Sequence, residues 1–236
     1  QEGHLDVVRW LLQSGAAMEL RNKRGVTPLT IASHYGHVDV VRLLLQNGVV
    51  VDPRSNNGWT PLMSASQEGH LDVVRLLLQS GATMDLSEKQ GATPLMIASQ
   101  NGHVDVVRLL LQNGAVVDHR NNDGWTPLMS ASRDGYPDIV RLLQSGAIVD
   151  SCDNDGWTSL MLASQEGHLD VVRLLLQSGA AMELRNKWGA TPLIKASQNR
   201  HPDVVHLLLQ SGANVDSRHN VLPTPSSGAS RYLLII

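Results

Sequence analysis

The tripeptide Thr-Pro-Leu returns at Thr27-Pro28-Leu29, Thr60-Pro61-Leu62, Thr93-Pro94-Leu95, Thr126-Pro127-Leu128 and Thr191-Pro192-Leu193, and Thr158-Ser159-Leu160 fills the one gap. Every step between successive motifs is equal except that from Thr126 to Thr158, which is shorter by a single position. A unit this short cannot bury an apolar face by itself. Successive units must therefore stack, and the core runs along the stack.

Within each unit the order recurs with few exceptions. Thr-Pro-Leu leads into an apolar stretch ending Ala-Ser, then Gly-His, then Asp-Val-Val-Arg-Leu-Leu-Leu, then Gly-Ala. Thr before Pro is a helix start, since the hydroxyl caps a free amide and Pro at the first helical position has no amide to leave unpaired. Gly36, Gly69, Gly102, Gly135 and Gly167 follow at a fixed distance downstream and close that helix. A second, more apolar helix ends at Gly48, Gly81, Gly114, Gly146, Gly179 or Gly212. The remainder reads as a hairpin-like finger with turns such as Asn56-Asn57-Gly58 and Asn122-Asp123-Gly124 at the tip.

Helix, helix and finger in this order resemble the ankyrin repeat, over nearly the whole chain. The resemblance implies an all-α solenoid of stacked helix-turn-helix units with short β-hairpin-like fingers. It divides the chain into a solenoid at 1–219 and a remainder at 220–236. The solenoid opens with a partial repeat, 1–21, and continues with six repeats starting near 22, 55, 88, 121, 153 and 186. The remainder is a degenerate seventh repeat or a C-terminal cap. The family usually has His after Thr-Pro-Leu; here the slot holds Thr30, Met63, Met96, Met129, Met161 and Ile194, which exchanges a hydrogen bond for apolar packing.

Two faults interrupt the pattern. The fourth repeat has Arg141-Leu142-Leu143-Gln144 where its neighbours have three leucines. Its second helix is expected to end early, with Gly146 drawn back into the usual closing position. The sixth has Arg200 where the others close the first helix with Gly, at a cost of about 1–2 kcal/mol for a left-handed side-chain-bearing residue. At the ends, residues 1–15 match 67–81 apart from Trp10 in place of Leu76, and Thr224-Pro225 lies one full period after Thr191-Pro192. The apolar tail, 222–236, is expected to fold back on the sixth repeat near 207–209 or to meet another molecule.

Little in the chain asks for chemistry. A net charge of −3 with Lys and Arg dispersed argues against nucleic acid and against an anionic membrane surface. No glycine-rich phosphate loop and no nucleophile motif with a base are present, so no cofactor and no catalytic residue are expected. His4, His37, His70, His103, His168 and His201 form a row, yet residues one repeat apart stand about 8–10 Å from one another, too far to share a metal. They read as turn residues between helices. Asp52, Asp85, Asp118, Asp150 and Asp216 recur once per repeat and read as a shared finger contact. Cys152 is the single cysteine, which fits a reducing compartment such as the cytoplasm, and nothing beside it marks it as activated.

The aromatic residues make only 3% of the chain, with no Phe, so the core falls to Leu, Val, Ile, Met and Ala. Trp59, Trp125 and Trp157 sit between a turn Gly and the helix start, Trp188 just before a turn Gly, and Tyr35 near the end of a first helix. The resemblance places these slots on the concave groove, where members of the family meet their partners. Each Trp is then either a binding contact or filler packed flat on its own finger. Charged slots around them include Arg21, Lys23, Arg24, Arg54, Lys89, Arg120, Asp123, Asp153, Asp155, Arg185 and Lys187, and the mixture of signs suits a protein surface. Tyr35, Trp59, Trp125, Trp157, Trp188, Arg54, Arg120, Asp123 and Asp155 are thus the candidate partner-binding residues. The partner is another protein, or, in the alternative reading, a second copy joined head to tail into a fibre, because such a contact does not close on itself.

Overall fold

The computed structural model describes residues 4–215. A single helix, α1 (Leu5–Gln13), leads six helix pairs. They are α2 (Pro28–His34) with α3 (Val38–Gln46), α4 (Pro61–Glu68) with α5 (Leu71–Gln79), and α6 (Pro94–Gln100) with α7 (Val104–Gln112). The series continues with α8 (Pro127–Arg133) and α9 (Pro137–Gln144), α10 (Ser159–Glu166) and α11 (Leu169–Gln177), and α12 (Pro192–Gln198) and α13 (Pro202–Gln210). Among the described residues there is no strand, only one antiparallel bridge between Cys152 and Thr158. The chain is an all-α helical solenoid, and its fingers are hairpin-like turns.

Each first helix starts as the sequence indicates. The Oγ1 of Thr27, Thr60, Thr93, Thr126, Thr158 and Thr191 accepts the amide hydrogen three residues on, at 3.3–3.4 Å. First helices pack on the first helices of neighbouring pairs and second helices on second helices, giving two parallel layers. Within a second helix the buried residues fall at positions such as Val73, Val74 and Leu77, one face of a 3.6-residue period. That face repeats along the stack: Leu44, Leu77, Leu110, Leu143, Leu175 and Leu208 are all 2% exposed or less. Each such side chain contributes about 1.5–3 kcal/mol by leaving water. Met63, Met96, Met129 and Met161 are buried in the first-helix layer, so flexible thioethers occupy the space that larger aromatics fill in ordinary globules.

The missing leucine has a local effect. α9 has 8 residues where the other complete second helices have 9, so it does end early. The expectation for Gly146 needs correcting. Gly48, Gly81, Gly114, Gly179 and Gly212 all take positive φ, and Gly146 does not. In its neighbours the residue after the glycine bonds back over five positions, as Ala82 N–H does to the Leu77 carbonyl. In the fourth pair Ala147 bonds back over four, to Leu143. The shorter loop is closed by a tighter turn that has no need of a left-handed residue. α11 still packs against α9, so the stack continues past the deletion. Arg200 does adopt the left-handed conformation, at φ 60, the one non-glycine among the described residues to do so.

At the first end, α1 leaves Trp10 71% exposed and Val7 and Leu11 about half exposed. The expectations for 222–236 and for Asp216 lie outside the described residues.

Candidate functional site

The fingers are built by one side chain each. Asn22, Asn121, Asp153, Asn186 and Glu88 each accept, through a single oxygen, the amide hydrogens two and four residues ahead, and Ser55 accepts the one four ahead. An oxygen held over two backbone amides fixes the tip, and one backbone bond, such as that from Asn121 N–H to the Trp125 carbonyl, closes it. Neighbouring fingers are then joined tip to tip: the amides of Asn56, Lys89, Asn122, Asn154 and Lys187 donate to carbonyls of the preceding finger at 2.9–3.0 Å.

Arginines reinforce that ladder. Arg54 donates to the carbonyl of Ser87, Arg120 to that of Cys152, and Arg21 to that of Arg54, in each case across to the next finger. Two of the candidate binding residues, Arg54 and Arg120, therefore spend a guanidinium N–H on spacing the fingers. Behind the fingers, Glu19, Asp52, Asp85, Asp118, Asp150 and Glu183 each accept an amide hydrogen from the next helix pair. The aspartates are the shared finger contact read from the sequence. Glu19 and Glu183 occupy the same slot and were hidden only by being a different carboxylic residue.

The histidine row is occupied in packing between pairs. His70, His103, His168 and His201 donate Nε2–H to a main-chain carbonyl at the end of the preceding first helix, at 2.7–2.9 Å. Among the described residues no three His, Cys, Asp or Glu converge on a point.

The fourth and fifth fingers, 121–125 and 153–157, enclose with α8 and α10 a cleft of about 450 Å³. Trp125 and Trp157, both half-buried, line it together with Leu162, Arg133 and Gln165, and the carboxylates of Asp123, Asp153 and Asp155. The two indoles are capped by cations from the chain itself. The Arg133 guanidinium lies 5.0 Å from the Trp125 centroid and the Lys195 ammonium 4.6 Å from that of Trp157. Trp188 meets Trp157 edge to face at 6.3 Å and carries Lys187 over its own ring at 4.6 Å. Lys187 also bonds Asp155.

Charge is partly matched around this group. Arg133 holds Asp134 by two 2.8 Å bonds, which raise the guanidinium above its ordinary pKa against the opposing effect of burial, with Glu166 adding to the rise. Burial lowers Lys195 from the ordinary lysine value.

Of the candidate residues, the fold thus gathers Asp123, Trp125, Asp155 and Trp157 on one cleft with Trp188 against its edge. Tyr35, 42% exposed beside His34 and His37, and half-buried Trp59 belong to earlier pairs and do not line it. Arg133 and Lys195 were not anticipated. The signal was present, since the Arg133 slot holds Gln at 67, 100, 165 and 198, and the Lys195 slot holds Ile, Ser or Leu elsewhere.

A search of curated proteins returns no match. The family model for ankyrin repeats, in three copies, matches residues 1–88, 80–151 and 135–219. Helix pairs, capped fingers and this match agree, and the chain belongs to the ankyrin-repeat family.

Proposed function

We propose that the chain is a non-enzymatic protein-recognition module of six full repeats within 1–219, which binds its partner on the face formed by the fingers and first helices. Ankyrin repeats are in general protein-binding modules. The observation that carries the choice of face is the pairing of Trp125 and Trp157 on a single cleft, half-buried and therefore still accessible. Tryptophan in a partly desolvated pocket is the residue most enriched at binding hot spots. Retrieval of partners from source-cell extract on the immobilised chain, compared with Trp125→Ala/Trp157→Ala, tests this. The variant is expected to lose the captured protein, a weakening of at least about 2 kcal/mol, with little change in melting temperature. Early melting with undiminished capture would mean that the indoles are filler.

A second reading rests on α1, whose Trp10, Val7 and Leu11 form an exposed apolar stripe. A second copy laid end to end would cover it, and repetition of that contact makes a fibre. Light scattering of the pure chain and of Trp10→Lys tests this: a concentration-dependent signal that the variant abolishes supports assembly, and a monomer at all concentrations removes it.

A further inference from the structure

We propose that the cleft between the fourth and fifth fingers receives an arginine side chain of the protein partner. The inference deepens the reading above and rests on it.

The first argument is uncompensated charge. Of the ionised groups lining the cleft, Asp155 is matched by Lys187 and Arg133 by Asp134. Asp123 and Asp153 have no ion-pair partner among the described residues, and Lys195 over the Trp157 ring is the one cation on the two indoles without one, so negative charge stays in excess. Asp153 is 9% exposed, and only its Oδ1 is engaged, by the amides of Asp155 and Trp157. The finger has no need of that charge, because Asn121 and Asn186 make the same two bonds in the fingers on either side. A buried carboxylate with a spare oxygen and no cation gains from an incoming one.

The second argument is the aromatic lining. Both indoles already hold a cation of the chain at 5.0 and 4.6 Å, so the geometry suits them to cation–π contact. Guanidinium is the cation that stacks on a ring and forms a paired bond to a carboxylate at once, and it sheds water more readily than ammonium. The cleft, about 450 Å³ and open to solvent on one side, has room for the end of one side chain entering from outside.

The test titrates the full ¹⁵N-labelled chain with acetyl-Gly-Arg-Gly-amide and with its lysine and citrulline counterparts, following the indole N–H signals of Trp125 and Trp157. The arginine peptide is expected to shift both signals saturably, the lysine peptide to bind more weakly, and the isosteric but neutral citrulline peptide to bind at least about tenfold more weakly. Asp123→Asn/Asp153→Asn keeps the finger bonds and is expected to weaken the arginine peptide by at least about tenfold at unchanged melting temperature. Equal binding of citrulline, equal or tighter binding of lysine, unmoved indole signals, or an unaffected Asn variant would each overturn the proposal. The two readings separate on the native partner. Loss with the Trp→Ala pair but not with the Asn pair retains the face and removes the arginine, whereas indifference to both removes the face.

Discussion

His70 packs its imidazole directly on Gly36: the ring donates Nε2–H to the His34 carbonyl at 2.9 Å, and a Cβ on Gly36 would stand 2.6 Å from its Nδ1. Gly36 is thus required twice, for its φ of 73 and for its missing side chain. Gly48, at φ 79, has nothing within 4 Å of an added Cβ. Gly48→Ala is therefore expected to cost only the left-handed backbone term, about 1–2 kcal/mol. Gly36→Ala should cost more, because the ring must move. Chemical denaturation of both variants checks the difference, and adding His70→Ala to Gly36→Ala should recover part of it.

Arg200 occupies the equivalent of Gly36 at φ 60 and is exposed. Arg200→Gly is expected to stabilise the chain by about 1 kcal/mol, the strain of a left-handed residue less the added freedom of glycine when unfolded. A thermal melt that falls instead would show that the arginine side chain makes a compensating contact.

The hydroxyls of Ser66, Ser99, Ser132 and Ser164 are buried with no hydrogen-bond partner among the described residues, whereas Ser33 donates to the Leu29 carbonyl at 2.8 Å. Removing an unpaired buried polar atom relieves its desolvation cost. Ser99→Ala is expected to leave stability unchanged or raise it by up to about 1 kcal/mol, and Ser33→Ala to lower it by about 0.5–1.5 kcal/mol. Urea unfolding of the two variants reads both signs.

Inserting one leucine after Leu143 restores the length of the neighbouring second helices. The expected result is a 9-residue α9, like α11, with Gly146 turned to positive φ. Ala147, now half-buried, should become as buried as Ala180, which is 7% exposed. A gain of roughly 1 kcal/mol follows from one further helix hydrogen bond and one further buried methyl group. A crystal structure with an unchanged turn and an outward loop would contradict this.

The chemical capping of each first helix could be read directly. Thr27 and its equivalents start helices because a hydroxyl and a proline solve a local problem, and Gly36 and its equivalents end them for a local reason too. Even the shortening of α9 followed from counting. What counting missed was how a turn closes when one residue is gone, since that depends on which carbonyl lies within reach of the Ala147 amide. The finger-to-finger bonds of Arg54 and Arg120 escaped counting for the same reason: a charged finger residue shows this second use only when the next finger brings a carbonyl to it, and both side chains remain exposed.

By itself, then, the sequence determined everything that repeats. A period constant but for one position, with a cap at each first-helix start and an apolar face in each helix pair, admits one way of stacking, because only neighbouring units can cover those faces. Tertiary structure decided what happens between repeats that differ. Trp125 and Trp157 stand one repeat apart in the chain and share one cleft only because the fingers are held tip to tip. Arg133 and Lys195 reach those rings from helices of different pairs, and Asp153 has no ion-pair partner among the described residues. Local propensity acts within a few residues, and such combinations arise from distances that no single repeat contains.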